Sequence, residues 1–556
     1  MVDGVLENRP ENDRCTTIAV GPSAGHGGAM ATHTNDCGDC DFRLGLVPAA
    51  DWPEGSERLL KVYRSQYPGT LSEDRGQTWA QANLEQESWK DVRPLTGSVP
   101  QVAHTYALYE GSYAIMNEHQ LGIGESTCAA KFWAAPVSAG GKARIEIADM
   151  TKIALERCKT ARCAIKTMGD LATELGFYGS DWRGGEMSLG EAGEALSIVD
   201  KTEAWMFHVL PDDTGASAVW AAQRLQPDHV TVCANNFVIR KIDPKNTDDF
   251  LMSDNIFDVA ERNGFWSPKD GLLDFLPTYS PKRSHPELSF RRIWRVFQLV
   301  APSVILPSDT DFYNNDYPFS IKVRTEYDLS QGIAAGPFSD PTRFDMGMVD
   351  NMTIDEVMSG GFERAIAIHR TAYAFVAQAR SVPDELALLW FAPYNPTAAS
   401  FAPFYLAAES ISRGFSTGSL FQFDPKVGTW ELIEGNLGIW LLPMLSATHA
   451  YAPPGPAAEA VAAVVRSKLT QFTVSQGDHV TGEGPLRTVR FLGIWESGFP
   501  RNCLYSWAAL LPQLITTYHD GFVATTTGSL VTLQHVFYPK WWLELVGYFD
   551  PSHGPR

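Results

Sequence analysis

Cys15 heads the run CTTIAVGPSAGHGG, behind fourteen residues, MVDGVLENRPENDR, with the polar character of a discardable leader. Cleavage of the Arg14–Cys15 bond would give one residue both a thiol and a free α-amine, a nucleophile that carries its own general base. An α-amine with an intrinsic pKa of about 7.7 to 8.0 can accept the thiol proton near neutral pH. Attack on an amide turns the carbonyl oxygen into an oxyanion, so hydrogen-bond donors must already point at that position. Neutral amides suit the task. Asn117 in YEGSYAIMNEHQLGIGEST and Asn235 or Asn236 in HVTVCANNFVIR each close a strand-like run. Taken singly, each Asn reads more readily as a turn or strand-end cap, and Cys15 as a small buried hydrophobe.

Two other motifs compete for the chemistry. Gly21-Pro22-Ser23-Ala24-Gly25 spells G-x-S-x-G, the turn that exposes a nucleophilic serine between a strand and a helix. TTIAV supplies the strand, but HGGAMATHTND has no helical pattern, so the segment reads as a glycine-rich hairpin turn with Ser23 incidental. Cys37-Gly38-Asp39-Cys40 is a CxxC with no second CxxC or His pair at zinc-finger spacing and no helix start behind it, which leaves a loop near the active site as the expectation. Zinc-protease, phosphate-loop and dinucleotide signatures are absent.

The elements that must position these residues are legible in part. TTIAV and FRLGLV read as short strands, and residues 50 to 100 as an irregular segment with one helix around 58 to 65. From 149 to 176, Ala161, Ile165, Met168, Ala172 and Leu175 recur at three and four before Gly176, which predicts an amphipathic helix. Residues 204 to 242 read as a strand meander divided by Asp212-Asp213-Thr214-Gly215 and Pro227-Asp228. PELSFRRIWRVFQLV predicts a helix, AIAIHRTAYAFVAQA and LALLWFAPY predict strands, and AAEAVAAVVRSKL a helix in an otherwise aromatic-rich tail. Strands without regular βα alternation give an α+β fold class.

The 556 residues, 44% hydrophobic, can bury a large core, and a formal charge of -20 with no basic cluster excludes nucleic acid as an expected partner. The longest apolar run, LGIWLLPML, falls far short of the roughly 20 residues of a membrane-spanning helix. The first fourteen residues lack the features of a secretory signal, and eight Cys in so long a chain read as a reduced protein rather than a disulfide scaffold. A cytoplasmic or lysosome-like location, no membrane and a possible homo-oligomer are the corresponding expectations.

Ten segments in order resemble the dipeptidases and secernins of the N-terminal-nucleophile hydrolases, relatives of penicillin V acylase and bile salt hydrolase. They are CTTIAVG, RLGLVPA, VAHTYALYEGSYAIMNEHQLGIGEST, ALERCKTARCAI, EAWMFHVL with VWAAQRLQPDHVTVCANN, SDNIFDVA, RRIWRVFQLVAPS, DYPFSIKV, AAGPFSDPTRF and LALLWFAPY, spanning residues 15 to about 394. The resemblance implies a four-layer αββα sandwich with additional helices, autoproteolytic removal of residues 1–14, one catalytic domain over 15–556 with 395–556 as its aromatic-rich C-terminal elaboration, and no metal or organic cofactor. It implies Cys15 as nucleophile, Asn117 and Asn235 at the oxyanion, and Arg292 of RRIWR close by. It puts Asp36 on the α-amine and His33, Glu118 and Asn236 on the binding side. The penicillin V acylase branch has an Arg three residues before that Asp, and this chain has His33-Thr34-Asn35-Asp36 instead. The implied activity is cysteine dipeptidase, acting on dipeptides or similar small amides. The alternatives are an N-acyl amidase and a non-catalytic, secernin-like regulatory binding protein.

Overall fold

A computed structural model describes residues 15–62 apart from 25–26 and 37–39, 95–282 apart from 181 and 183–188, 287–323 apart from 305 and 307–316, parts of 366–415, and strands within 421–432 and 522–535. Two large antiparallel sheets dominate. Their strands, in chain order, are β1 (Thr17–Val20), β2 (Ala29–Asp36), β3 (Gly45–Val47), β4 (Leu108–Glu110), β5 (Ala114–Asn117), β6 (Gly122–Cys128), β7 (Gly193–Val199) and β8 (Ala204–Pro211). There follow β9 (Ala218–Arg224), β10 (His229–Cys233), β11 (Phe250–Met252), β12 (Ile321–Lys322), β13 (Thr371–Ala379), β14 (Leu388–Pro393) and β15 (Ala402–Tyr405). The first sheet runs β12-β10-β1-β2-β13-β14-β15, and the second β11-β9-β8-β7-β6-β5-β4-β3.

Side-chain alternation explains how the sheets meet. In β2, Ala29, Ala31, His33 and Asn35 are buried while Met30, Thr32 and Thr34 are half-buried, the period of two that a strand imposes. The buried set faces β6 and β7. Gly124 in β6 permits the close approach: a Cβ there would stand 2.1 Å from the Thr32 carbonyl oxygen and 2.6 Å from Thr17 Oγ1. Small residues continue the seam, with Ala19, Ala29, Ala31, Val199, Ala204 and Ala379 in one cluster. β6, β7 and β8 are buried along their whole length, as strands covered on both faces must be.

Helices α1 (Ile147–Arg157) and α2 (Ala161–Leu175) pack Ile153, Ala154, Ile165, Met168 and Ala172 against Leu196, Ile198, Trp205 and Phe207 of the second sheet. After α3 (Ile256–Arg262) and α4 (Phe275–Tyr279), α5 (Glu287–Val300) lays Phe290, Ile293, Trp294 and Phe297 into a cluster with Val230 and Val232 of β10. Among the described residues no helix is long and apolar enough to cross a membrane.

Several expectations need correction. The helix expected around 58 to 65 is a strand, Glu57–Lys61, paired with Leu95–Pro100. Arg58 is buried between Asp149 and Glu156 of α1, at 3.1 and 3.2 Å, and this tertiary demand overrides the local preference of ERLLK. The single helix over 149–176 is two helices. Thr160 opens the second by accepting the amide of Cys163, and a Cys158–Cys163 disulfide staples the break. Cys40 is also disulfide-bonded, contrary to the reduced chain expected. The meander of 204–242 holds for β8 and β9, but β10 crosses to the first sheet to pair with β1. The helix expected in AAEAVAAVVRSKL, residues 1–14, and most of 395–556 lie outside the described residues.

Candidate active site

The strand alternation that joins the sheets also assembles the polar group at their edge. The backbone bridge between Thr16 and Thr34 anchors the start of β1 on β2, and the Thr16 amide donates to Thr34 Oγ1 at 3.1 Å. Cys15, buried at 2% exposure, thereby sits beside Asn35, with Sγ 3.8 Å from Asn35 Oδ1. Asn35 Nδ2 donates to Ser112 Oγ at 3.0 Å, which fixes the amide.

The second sheet supplies Ser126 of β6. Its hydroxyl donates to the Cys15 carbonyl oxygen at 3.1 Å and accepts the Asn235 amide at 2.9 Å. Asn235, just past β10, has φ +59°, a left-handed conformation that Asn tolerates better than most side chains. The turn aims its side chain inward, where Nδ2 donates to the Thr127 carbonyl at 2.7 Å.

Arg292 of α5 closes the group from the third side. It is 1% exposed. Nη1 donates to the Cys15 carbonyl at 3.0 Å and to Thr16 Oγ1 at 2.9 Å, while Nη2 donates to Asn235 Oδ1 at 2.8 Å. One planar guanidinium therefore fixes the distance between Cys15 and Asn235. Asp36 lies on the same strand as Asn35, accepting from Thr34 Oγ1 at 3.1 Å and from the Thr371 hydroxyl.

His33 lies on β2 three residues before Asp36 and is fully enclosed. Nδ1 lies 2.7 Å from the Glu125 backbone oxygen and 3.7 Å from Glu125 Oε2. Tyr113, Tyr373 and Phe375 surround the ring at 5.6 to 5.8 Å between centroids. Burial pushes the imidazole pKa below its ordinary value, outweighing the nearby charge of Glu125. Burial thus favours the neutral ring. Burial first, and then the charge of Glu125, hold the Glu194 carboxyl well above the usual carboxylate range.

The structure thus brings together Cys15, His33, Asp36, Asn235 and Arg292, but not Asn117. That side chain closes its own turn: Oδ1 accepts the amides of His119 and Leu121, and Nδ2 donates to the carbonyls of Leu155, in the last turn of α1, at 2.9 Å and of Cys158, just past its end, at 2.7 Å. Its four hydrogen-bonding positions are committed to structure. Glu118 follows it in the same turn, accepting the Ala107 amide at 3.1 Å. Asn236 accepts from Ser280 Oγ at 3.1 Å and tethers the loop that carries Asn235. Ser23 is exposed in the turn after β1, away from Cys15. The residues that sequence reasoning missed are Asn35, Ser126, Glu125 and Tyr373. Asn35 alone left a signal, as a polar residue in step with His33 on an alternating strand.

The model of Peptidase family C69 matches residues 14–424. A probable dipeptidase of Salmonella dublin is 25% identical over 162 residues, 28% of this chain and 33% of that protein. Another, of Latilactobacillus sakei, is 24% identical over 274 residues, 48% of this chain and 51% of that protein. The chain therefore spans a third to a half of these curated relatives. A solved mutant conjugated bile acid hydrolase of Clostridium perfringens aligns with 71% of this chain and 93% of its own at 10% identity and a TM-score of 0.25, too distant a likeness to carry weight. The family match covers most of the chain, begins one residue before Cys15 and takes in Asn235 and Arg292, so the protein belongs to peptidase family C69.

Proposed function

We propose that this chain is a cysteine dipeptidase that hydrolyses dipeptides or similarly small amides, with the Cys15 thiol as nucleophile and, once residues 1–14 are removed, the Cys15 α-amine as base. One observation carries the reading: a single buried guanidinium, Arg292, binds both the Cys15 carbonyl and Asn235. The names of the curated relatives support the substrate class.

In this reading the amine takes the thiol proton and the thiolate attacks the substrate carbonyl carbon. One amide hydrogen of Asn235 is held by Thr127, which leaves the second for the developing oxyanion. Asp36 holds the α-amine, and Arg292 keeps nucleophile and donor at fixed separation. The tetrahedral intermediate collapses as the leaving amine takes the proton, and water then releases the acyl group from the thioester. Helices α1 and α2 outside one sheet and α5 outside the other would form the outer layers of an αββα sandwich, with 395–556 elaborating the same domain. The Cys158–Cys163 disulfide favours a lysosome-like compartment over the cytoplasm.

The test is N-terminal mass analysis combined with a dipeptide panel that includes N-acyl amino acids. The expected outcome is a mature chain starting at Cys15 that turns over dipeptides, and a Cys15→Ala variant that keeps its leader and is inactive. An intact Met1 terminus with no turnover on the panel would sink the proposal.

A further inference from the structure

Two enclosed polar atoms beside Cys15 meet no hydrogen-bond partner among the described residues: His33 Nε2 and Glu125 Oε2. The histidine tautomer follows from its surroundings. Nδ1 lies 2.7 Å from the Glu125 backbone oxygen, which can only accept, so Nδ1 carries the hydrogen and Nε2 presents a lone pair. Cys15 Sγ, a ring nitrogen of His33 and a carboxylate oxygen of Glu125 all lie within 4.8 Å of one another.

Thiolate, neutral imidazole and carboxylate are the ligands that zinc takes. A tetrahedral shell with bonds of about 2.0 to 2.3 Å sets ligand atoms about 3.5 Å apart, so the three side chains must draw in, with Nε2 rather than Nδ1 as the nitrogen ligand, to close around an ion. The charges also match. One thiolate and one carboxylate neutralise a divalent cation, which removes the cost of a net charge in so enclosed a space. Supporting hydrogen bonds are already in place: the Glu125 carbonyl orients the imidazole, and Thr127 Oγ1 donates to Glu125 Oε1 at 2.8 Å.

We propose that Cys15, His33 and Glu125 form an inhibitory zinc site. The ion replaces the thiol hydrogen, the S–H bond breaks, a Zn–S bond forms and one proton leaves to solvent. No electrons are exchanged, and water takes the fourth position. Hard cations such as Mg2+, which demand six oxygens, are excluded. Binding stands on the geometry alone, whereas its inhibitory consequence rests on Cys15 being the nucleophile proposed above.

The experiment is calorimetric titration of ZnCl2 into the full chain, in chelator-free buffer with a phosphine reductant, alongside Cys15→Ala, His33→Phe and Glu125→Gln, each checked for folding by circular dichroism. Cys15→Ser, a one-atom change, replaces the alanine variant should that misfold. One zinc per chain is expected at this site, weakened at least roughly 10- to 100-fold in each variant, with no competition from MgCl2. Co2+ as a spectroscopic stand-in should give thiolate charge-transfer absorption that Cys15→Ala abolishes. Zinc should also stop dipeptide turnover until EDTA is added. Unchanged zinc affinity in both Cys15→Ala and Glu125→Gln overturns the site, whatever the activity. Zinc binding that needs Cys15, in a protein without Cys15-dependent turnover, leaves the site standing and removes the dipeptidase reading instead.

Discussion

At the scale of single residues, the two asparagines that looked alike in sequence divide cleanly. Asn117→Ala strips the cap from the end of α1 and leaves buried carbonyls unpaired, which should cost about 1–3 kcal/mol of stability. Thermal unfolding should record that loss, while kcat of the folded fraction stays unchanged. Arg292→Gln acts the other way. It frees Asn235 from Cys15 and should lower kcat/KM by roughly 10² to 10³, comparable to removing an oxyanion donor; steady-state kinetics on a dipeptide decides. Sequence could not separate the two asparagines, because both end strands and only the third dimension shows which carbonyls they face. The clustering of Cys15, Asp36, Asn235 and Arg292 was anticipated by the resemblance of the ordered segments, while their roles stay proposals. Asn35 and Ser126 were not anticipated, since a strand's inward polar residue acquires meaning only from the sheet laid against it.

Among the elements, strongly patterned segments kept their sequence-level identity. α2, α5, β13 and β14 lie where periodicity put them. The strand at 57–61 did not, because its stability comes from Arg58 reaching two acids of a distant helix. Nor did periodicity reveal the break between α1 and α2, where the apolar spacing continues across a capped turn. Two predictions belong here. Gly124→Ala forces a methyl onto the Thr32 carbonyl and should destabilise the seam between the sheets by about 1–3 kcal/mol, read as a lowered denaturation midpoint. Cys163→Ser opens a disulfide that closes a short loop of sequence separation 5 and should cost about 2 kcal/mol in the chain-entropy account, read by urea unfolding.

For the molecule as a whole, the buried histidine of β8 sets an acid limit. His208 Nε2 accepts the amides of Val238 at 3.0 Å and Ile239 at 3.3 Å, and burial pushes its pKa down from 6.5 to about 3. The unfolded chain takes up this proton below pH 6.5 while the folded chain refuses it until about pH 3. The stability it contributes is therefore full above pH 6.5 and declines by about 1.4 kcal/mol per pH unit across that window. Denaturation curves at pH 7 and pH 5 should differ accordingly, and His208→Gln should shrink the difference. The cradle of Cys15 also has an order of synthesis. Arg292 comes 277 positions after Cys15, and Thr371, which braces Asp36, comes 335 positions after Asp36. β2 has its neighbour β13 only after residue 379 has left the ribosome. At about 5–20 residues per second, a nascent chain spends many seconds with an incomplete site. If Cys15 is exposed by cleavage as proposed, a cleavage that needs this cradle waits for late translation, and a chain stalled before residue 292 should retain residues 1–14.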